Sequence, residues 1–251
     1  MEKEARIALL IDADNSSAGK IELILNELST FGVTNIRRAY GNWEMNELKS
    51  WKAALLEHAI RPMQQFAYTK GKNASDMAMV IDALDLLYTD RPDAYGIVSS
   101  DADFTPLVMH LRAKGAAVYG FGAAKTPAAF VNACSRFLNV DQLEADDSDD
   151  GGPESEAPAA PLRVATAQLK KDTKLVSLLR NAVHAASDEN GWARVGAVGQ
   201  QIGNQTSFDS RNYGYATLSK LLKATELFEI TNEGKSDVSV RDKRRGRNGR
   251  G

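Results

Sequence analysis

The chain of 251 residues has little of what most catalytic and metal-binding scaffolds are recognised by. It holds one cysteine, Cys134, so neither an intrachain disulfide nor an all-cysteine metal site can form, and Cys134 reads as a small buried hydrophobe. Its three histidines, His58, His110 and His184, stand far apart, which removes the spacings of a zinc site or a histidine-based ribonuclease. No apolar run approaches the roughly 18 residues that cross a bilayer. Where a dinucleotide fold needs G-x-G-x-x-G after its first strand, Asp12-Ala-Asp-Asn-Ser-Ser17 stands instead, and no Walker A sequence occurs. Asp12-Ala-Asp14 superficially fits an aspartyl-phosphate phosphatase, but Ser16 stands where that motif carries Thr or Val. The opening Met-Glu-Lys-Glu-Ala-Arg mixes charges without an apolar stretch, so no secretory signal is recognised and a cytoplasmic, membrane-free location is expected.

What is present is ordinary globular material, 43% hydrophobic and 25% charged, with its charge segregated. The net charge of −2 divides into −1 over residues 1–140, −8 over 141–160, +2 over 161–240 and +5 over 241–251. The acidic stretch contains no Lys or Arg, and three of the seven prolines fall at Pro153, Pro158 and Pro161. Such a segment cannot bury enough apolar surface to offset chain entropy. The reading is therefore a domain over 1–143, an acidic disordered linker over 144–168, a smaller domain over 169–241 and a disordered basic tail over 242–251. The tail points to a polyanionic partner.

The N-terminal part alternates two periods. Arg6–Ile11 is a continuous apolar run and reads as a buried strand, and Val33–Tyr40, Ile60–Ala67, Tyr95–Ser99 and Ala116–Phe121 read as further strands. Between them lie helical stretches: one past Ser16 and Ser17, which could cap it, then Met45–His58, Ala74–Tyr88 and Phe104–Lys114, with Pro127 opening another. Five strand–helix repeats imply an α/β fold, a Rossmann-like parallel sheet with helices on both faces and strand order 3-2-1-4-5. The smaller part predicts helices over Thr173–Ser187, Arg194–Ile202 and Tyr213–Thr225, then a hairpin of Leu227–Ile230 with Asp237–Val240. That is a winged-helix pattern.

The acids follow the strands. Asp12 and Asp14 come directly after the first, Asp101 and Asp103 after the fourth, and Asp76 opens the helix after the third. In a doubly wound sheet these positions share the carboxyl edge where ligands bind. Any one of them alone is as well explained as a helix cap. Converging without a matching Arg cluster, they would repel one another, and oxygen-only ligands suit Mg²⁺ or Mn²⁺. Asp82 lies six residues past Asp76, about 240° around the helix, and reads, with Asp85, as structural.

These residues carry a resemblance. Leu9-Leu-Ile-Asp-Ala-Asp-Asn15, Lys70-Gly-Lys-Asn-Ala-Ser-Asp76, Ile97-Val-Ser-Ser-Asp-Ala-Asp-Phe-Thr-Pro-Leu107, Gly115–Gly122 and Ala133-Cys-Ser-Arg-Phe137 together resemble LabA-like NYN domains of the PIN-like nuclease group. The resemblance covers about residues 5–143. Gly191-Trp192, Phe208-Asp-Ser-Arg211 and Tyr213-Gly-Tyr215 are similar to an OST-HTH (LOTUS) domain over about 171–241. The first implies a metal-dependent RNA endonuclease with Asp12, Asp76, Asp101 and Asp103 as catalytic and metal-holding acids. Asn15 and Ser99 stand at its polar positions and are expected to bind substrate. Family members usually have Ser-Gly-Asp where Ser99-Ser100-Asp101 stands, so Ser100 adds a side chain beside the site. The second implies RNA binding, and in some relatives protein partners.

The expected function is hydrolysis of RNA phosphodiester bonds. Lys70 and Lys72 would neutralise phosphates beside the cleft; Arg211, Lys220, Lys223, Lys243, Arg244, Arg245 and Arg247 would contact RNA. A homodimer and a protein partner stay open. The competing reading is a non-catalytic RNA-binding adaptor whose acids are caps or hold a structural ion, and a third is a DNA-binding regulator using the winged helix.

Overall fold

The computed structural model describes residues 4–66, 73–143, 163–233 and 237–244. The chain divides into two compact units, Met1–Leu143 and Glu144–Gly251. The first holds a six-stranded, wholly parallel sheet in the order β3-β2-β1-β4-β5-β6. Its strands are β1 Arg6–Asp12, β2 Val33–Gly41, β3 Arg61–Gln64, β4 Ala94–Val98, β5 Ala117–Gly122 and β6 Arg136–Asn139. The helices are α1 Ile21–Ser29, α2 Trp51–Glu57, α3 Ala74–Tyr88, α4 Thr105–Ala113, α5 Ala128–Ala133 and α6 Val140–Leu143.

Alternation along β1 divides the core. Ala8 and Leu10 point to the face packed with Met79 and Leu86 of α3, Val108 of α4 and Phe130 of α5. Ile7, Leu9 and Ile11 point to the other, with Ile24 and Leu28 of α1 and Trp51 of α2. A strand buried on both faces must be apolar along its buried length, as this one is from Ile7 to Ile11. The winding turns back between β1 and β4, which pair from Ile7↔Ala94 to Ile11↔Val98.

The expected order is found and extended by one strand. β6 has only four residues, and its pairing with β5 from Tyr119↔Arg136 to Gly122↔Asn139 makes it a strand where its composition does not. The expected second helix starts as a 3₁₀ turn, Asn46–Ser50, before α2. Ser16 and Ser17 do not cap α1. A 3₁₀ turn, Ala18–Lys20, intervenes, Ser17 makes no side-chain cap bond to it, and Ser16 Oγ leans 3.5 Å from the Val98 carbonyl instead.

The second unit contains α7 Thr166–Lys171, α8 Thr173–Ala186, α9 Val195–Gln205 and α10 Leu218–Thr225. A small antiparallel sheet, β7-β9-β8, is built from β7 Ala193–Arg194, β8 Phe228–Thr231 and β9 Ser239–Asp242. α7 begins within the stretch expected as linker, with Leu169 buried in the core, and β7 adds a strand to the expected hairpin. The helix expected over Tyr213–Thr225 is broken. A 3₁₀ turn over Ser210–Tyr213 ends at Gly214, whose φ of 79° suits glycine, and Thr217 then caps α10 through the Lys220 N–H at 3.2 Å.

Asp82 is structural, as its angle around α3 requires. Its carboxylate accepts from the Arg38 guanidinium and from the Tyr40 hydroxyl, both on β2. Tyr40 is fully buried, and burial raises its phenol pKa well above the ordinary value. Asp82→Ala strands both donors, and should cost about 2–3 kcal/mol, measured as a shift in the urea midpoint. An unchanged midpoint would show that solvent replaces the carboxylate at no cost.

Candidate active site

The site is assembled at the carboxyl edge of the parallel sheet. Asp12 ends β1 and is 1% exposed. Its Oδ2 accepts from the Ser99 hydroxyl at 2.9 Å, across the β1–β4 seam. The Asn15 amide group donates to both Asp12 oxygens, at 3.2 and 3.0 Å, and the Asn15 backbone N–H adds a third donor at 3.3 Å. Burial raises the Asp12 pKa, and the Asn15 and Ser99 bonds oppose that rise. Asn15 and Ser99, expected at substrate, therefore spend their polar groups on Asp12. Ser99 also accepts from the Asp101 N–H at 3.0 Å, so one hydroxyl orients the loops after two strands.

Asp101 follows β4 and caps the 3₁₀ turn Ala102–Phe104 through the Asp103 N–H at 2.8 Å. The cap role thus applies to this residue and occupies one of its oxygens. Asp103 is exposed, 3.5 Å from the Asn73 amide nitrogen. Asp76 lies in the first turn of α3, and its pKa is raised to about 6. Burial is the largest cause, followed by the carboxylates of Asp12, Asp101, Asp14 and Asp103. Ser100 is turned aside: its hydroxyl accepts from the Ala123 N–H at 2.8 Å. A Cβ at Gly122 would stand 2.7 Å from the Ser99 carbonyl and 3.0 Å from Ser100 Oγ, so the β5 loop can close on this turn only with glycine there.

Asp14 was visible in the sequence as an acid after β1 but was not assigned to the site. Its Oδ2 accepts from Ser75 Oγ at 2.6 Å and its Oδ1 from the Asn42 N–H at 3.3 Å, which joins three loops of the site edge. Ser75 carries no sequence signal beyond its place next to Asp76.

Among the described residues, no Lys, Arg or His pairs with Asp12, Asp76, Asp101 or Asp103. Nor, among them, do three His, Cys, Asp or Glu side chains already stand together as a closed ion cage. An all-oxygen edge with uncompensated mutual repulsion fits a hard divalent cation that keeps several waters and takes one or two carboxylates directly. Lys70 and Lys72 lie outside the described residues.

The second unit presents exposed Lys220 and Lys223 three residues apart on α10, Lys223 with Glu233 at 2.8 Å. Lys243 reaches the Glu226 carbonyl at 2.9 Å, and Arg244 is exposed beside it. Arg211 is the residue expected at RNA from the turn before α10. Its guanidinium closes on the buried carboxylate of Asp209 at 3.1 and 3.0 Å, an internal pair. Arg245 and Arg247 lie outside the described residues.

Comparison with known proteins gives a consistent result. The NYN domain model matches residues 6–142 and the OST-HTH/LOTUS domain model residues 169–240. An uncharacterized protein of Methanocaldococcus jannaschii is 33% identical over 124 residues, 48% of each chain, so this chain spans about half the length of that curated relative. Among solved structures, a protein of unknown function from Vibrio parahaemolyticus aligns over 57% of this chain and 97% of its own, at 18% identity and TM-score 0.46. An uncharacterized protein from Nitrosomonas europaea aligns over 39% and 91%, at 31% identity and TM-score 0.25.

The repulsion has a measurable sign. The folded Asp76 carboxyl titrates near about 6 against an ordinary 3.8, so the fold disfavours its ionised form. The stability that this group contributes is full below the unfolded pKa and is lost as pH rises through the folded one. In EDTA, Asp76→Asn should therefore raise the melting temperature at about pH 7.5 and leave it nearly unchanged at about pH 4. A variant that melts no higher than wild type at the upper pH would show that neither burial nor the neighbouring carboxylates disfavour the ionised Asp76.

Proposed function

Because the chain belongs to the NYN domain family and carries an OST-HTH/LOTUS domain behind it, we propose that it is a Mg²⁺- or Mn²⁺-dependent endoribonuclease with a tethered RNA-binding module. The observation that carries the reading is the electrostatic state of the sheet edge. Burial, and after it the carboxylates of Asp12, Asp101, Asp14 and Asp103, raises the Asp76 pKa, and no described cation is paired with the four acids assigned as metal-holding. Asp12 and Asp101 would hold the ion, and Asp76 and Asp103 would complete its surroundings directly or through water. When bound, the ion supplies charge to the scissile phosphate and a water of lowered pKa.

The chain's own residues do the remaining work. Asn15 and Ser99 fix both oxygens of Asp12, so that carboxylate presents one orientation. Ser99 and the Asp103 N–H do the same for the Asp101 backbone and side chain. A group held in place beforehand needs no reorganisation as charge develops on the phosphate. The exposed lysines of α10 and the basic residues from Lys243 onward supply sequence-independent phosphate attraction. Tethering raises the local RNA concentration at the nuclease edge.

A second reading, an RNA-binding adaptor without catalysis, draws on the Asp101 cap and on the absence of a closed ion cage among the described residues. Cleavage decides between them. With Mn²⁺ or Mg²⁺ the wild-type chain should cut labelled single-stranded or structured RNA, EDTA should stop it, and Asp101→Asn should lower the rate by about 100-fold or more while RNA is still bound. RNA binding with no cutting under any metal would establish the adaptor.

The module has its own test. Lys220→Gln with Lys223→Gln should weaken RNA binding across all sequences and reduce the slope of log affinity against log salt by about 1–2. An unchanged slope would place the phosphate contacts elsewhere.

A further inference from the structure

α3 carries Asp76 into the site, yet its start lacks the usual anchor. Asn73, at the N-cap, makes no side-chain cap bond to the helix, and its amide nitrogen lies 3.5 Å from Asp103. The Met77 N–H to Asn73 carbonyl bond at 3.1 Å closes the first turn from within. The contact that ties this turn to the sheet is Ser75 Oγ donating to Asp14 Oδ2 at 2.6 Å, with Ser75 only 8% exposed. Asp14 is itself held from a third element, because Oδ1 accepts from the Asn42 N–H just past β2. Gly41 leaves room for that arrangement. A Cβ there would lie 3.0 Å from Asp14 Oδ1 and 2.8 Å from the Leu48 side chain.

We infer that Asp14 is a positioning residue for Asp76, acting through the Ser75 hydroxyl, and not a ligand in its own right. The inference deepens the nuclease reading and takes its consequence for cleavage from it. Serine precedes Asp76 directly, so fixing the Ser75 side chain fixes the backbone on which Asp76 stands. Were Asp14 a ligand, its charge would be indispensable. As a tether it needs no charge: an asparagine keeps one oxygen for the Asn42 N–H, and its NH2 can donate to Ser75 Oγ, since a hydroxyl accepts as well as donates. Two carboxylates so close in sequence, Asp12 and Asp14, thereby serve different ends: one faces the seam with Ser99, the other reaches across to α3.

The experiment uses the full chain with Asp14→Ala, Asp14→Asn, Ser75→Ala and the Asp14→Ala/Ser75→Ala double variant. Three readouts are taken: Mn²⁺ affinity by calorimetry, kcat and KM for RNA cleavage, and hydrogen exchange of the Met77 amide. Asp14→Ala and Ser75→Ala should each lower Mn²⁺ affinity by about 10-fold or more and reduce kcat with KM little changed. The double variant should be no worse than either single, as for two ends of one contact. Asp14→Asn should stay close to wild type, and the Met77 amide should exchange faster in both alanine variants. Three results overturn the inference: Asp14→Asn as damaging as Asp14→Ala with Ser75→Ala near wild type, additive losses in the double variant, or Met77 exchange that does not change. If wild type neither binds Mn²⁺ nor cuts RNA, the nuclease reading falls, while Met77 exchange still decides whether Asp14 and Ser75 hold the first turn of α3.

Discussion

Everything at the candidate site depends on β1 and β4 lying side by side where the winding of the sheet turns back. Parallel strands joined by helices all run the same way, so every strand ends on one edge and the loops from β1 and β4 meet there. The 2.9 Å bond from the Ser99 hydroxyl to Asp12 crosses that seam in a setting where both residues are 1% exposed. Out of water, such a bond is stronger and its absence costlier. It fixes the carboxylate at the end of β1 to the loop that carries Asp101 and Asp103. α3, entering after β3, adds Asp76 from the side, and Asp14 draws its first turn in through Ser75.

The cost of this assembly is electrostatic. Asp76, its pKa raised to about 6, is ionised at neutral pH against its burial first and its neighbouring carboxylates second. The fold offsets the burial of Asp12 with three hydrogen bonds from Asn15 and one from Ser99, and leaves Asp76 without comparable relief. That contrast is what a site looks like when charge is kept for a ligand instead of for stability. Asp82, on the same helix, shows the other solution, with a guanidinium and a phenol as partners.

The second unit handles charge in the opposite manner. Arg211 with Asp209, Arg180 with Asp242 at 3.1 Å, and Arg241 with Glu229 are paired within the unit, and Arg241 also lies over the Trp192 ring at 4.7 Å. These arginines close the small sheet and its turns. The lysines of α10 lie at the surface instead, Lys223 with Glu233 at 2.8 Å.

The sequence was enough to determine the alternation of strands and helices, the strand order through β5, the face on which Asp82 falls, and the gathering of acids at strand ends. Each follows from local periodicity and from the handedness of parallel connections, which residue types reveal without neighbours. Tertiary structure decided the rest. β6 exists because β5 offers it an edge, the break before α10 because Gly214 takes a left-handed turn, and α1 starts late because Ser16 turns toward β4. Residue type does not reveal that Arg211 pairs with Asp209 or that Ser100 is tied to the β5 loop. Asp14 and Ser75 are 61 positions apart, so no spacing rule links them. Hydrogen bonds between distant segments depend on where the fold brings each side chain, and that is set only once both cores are packed.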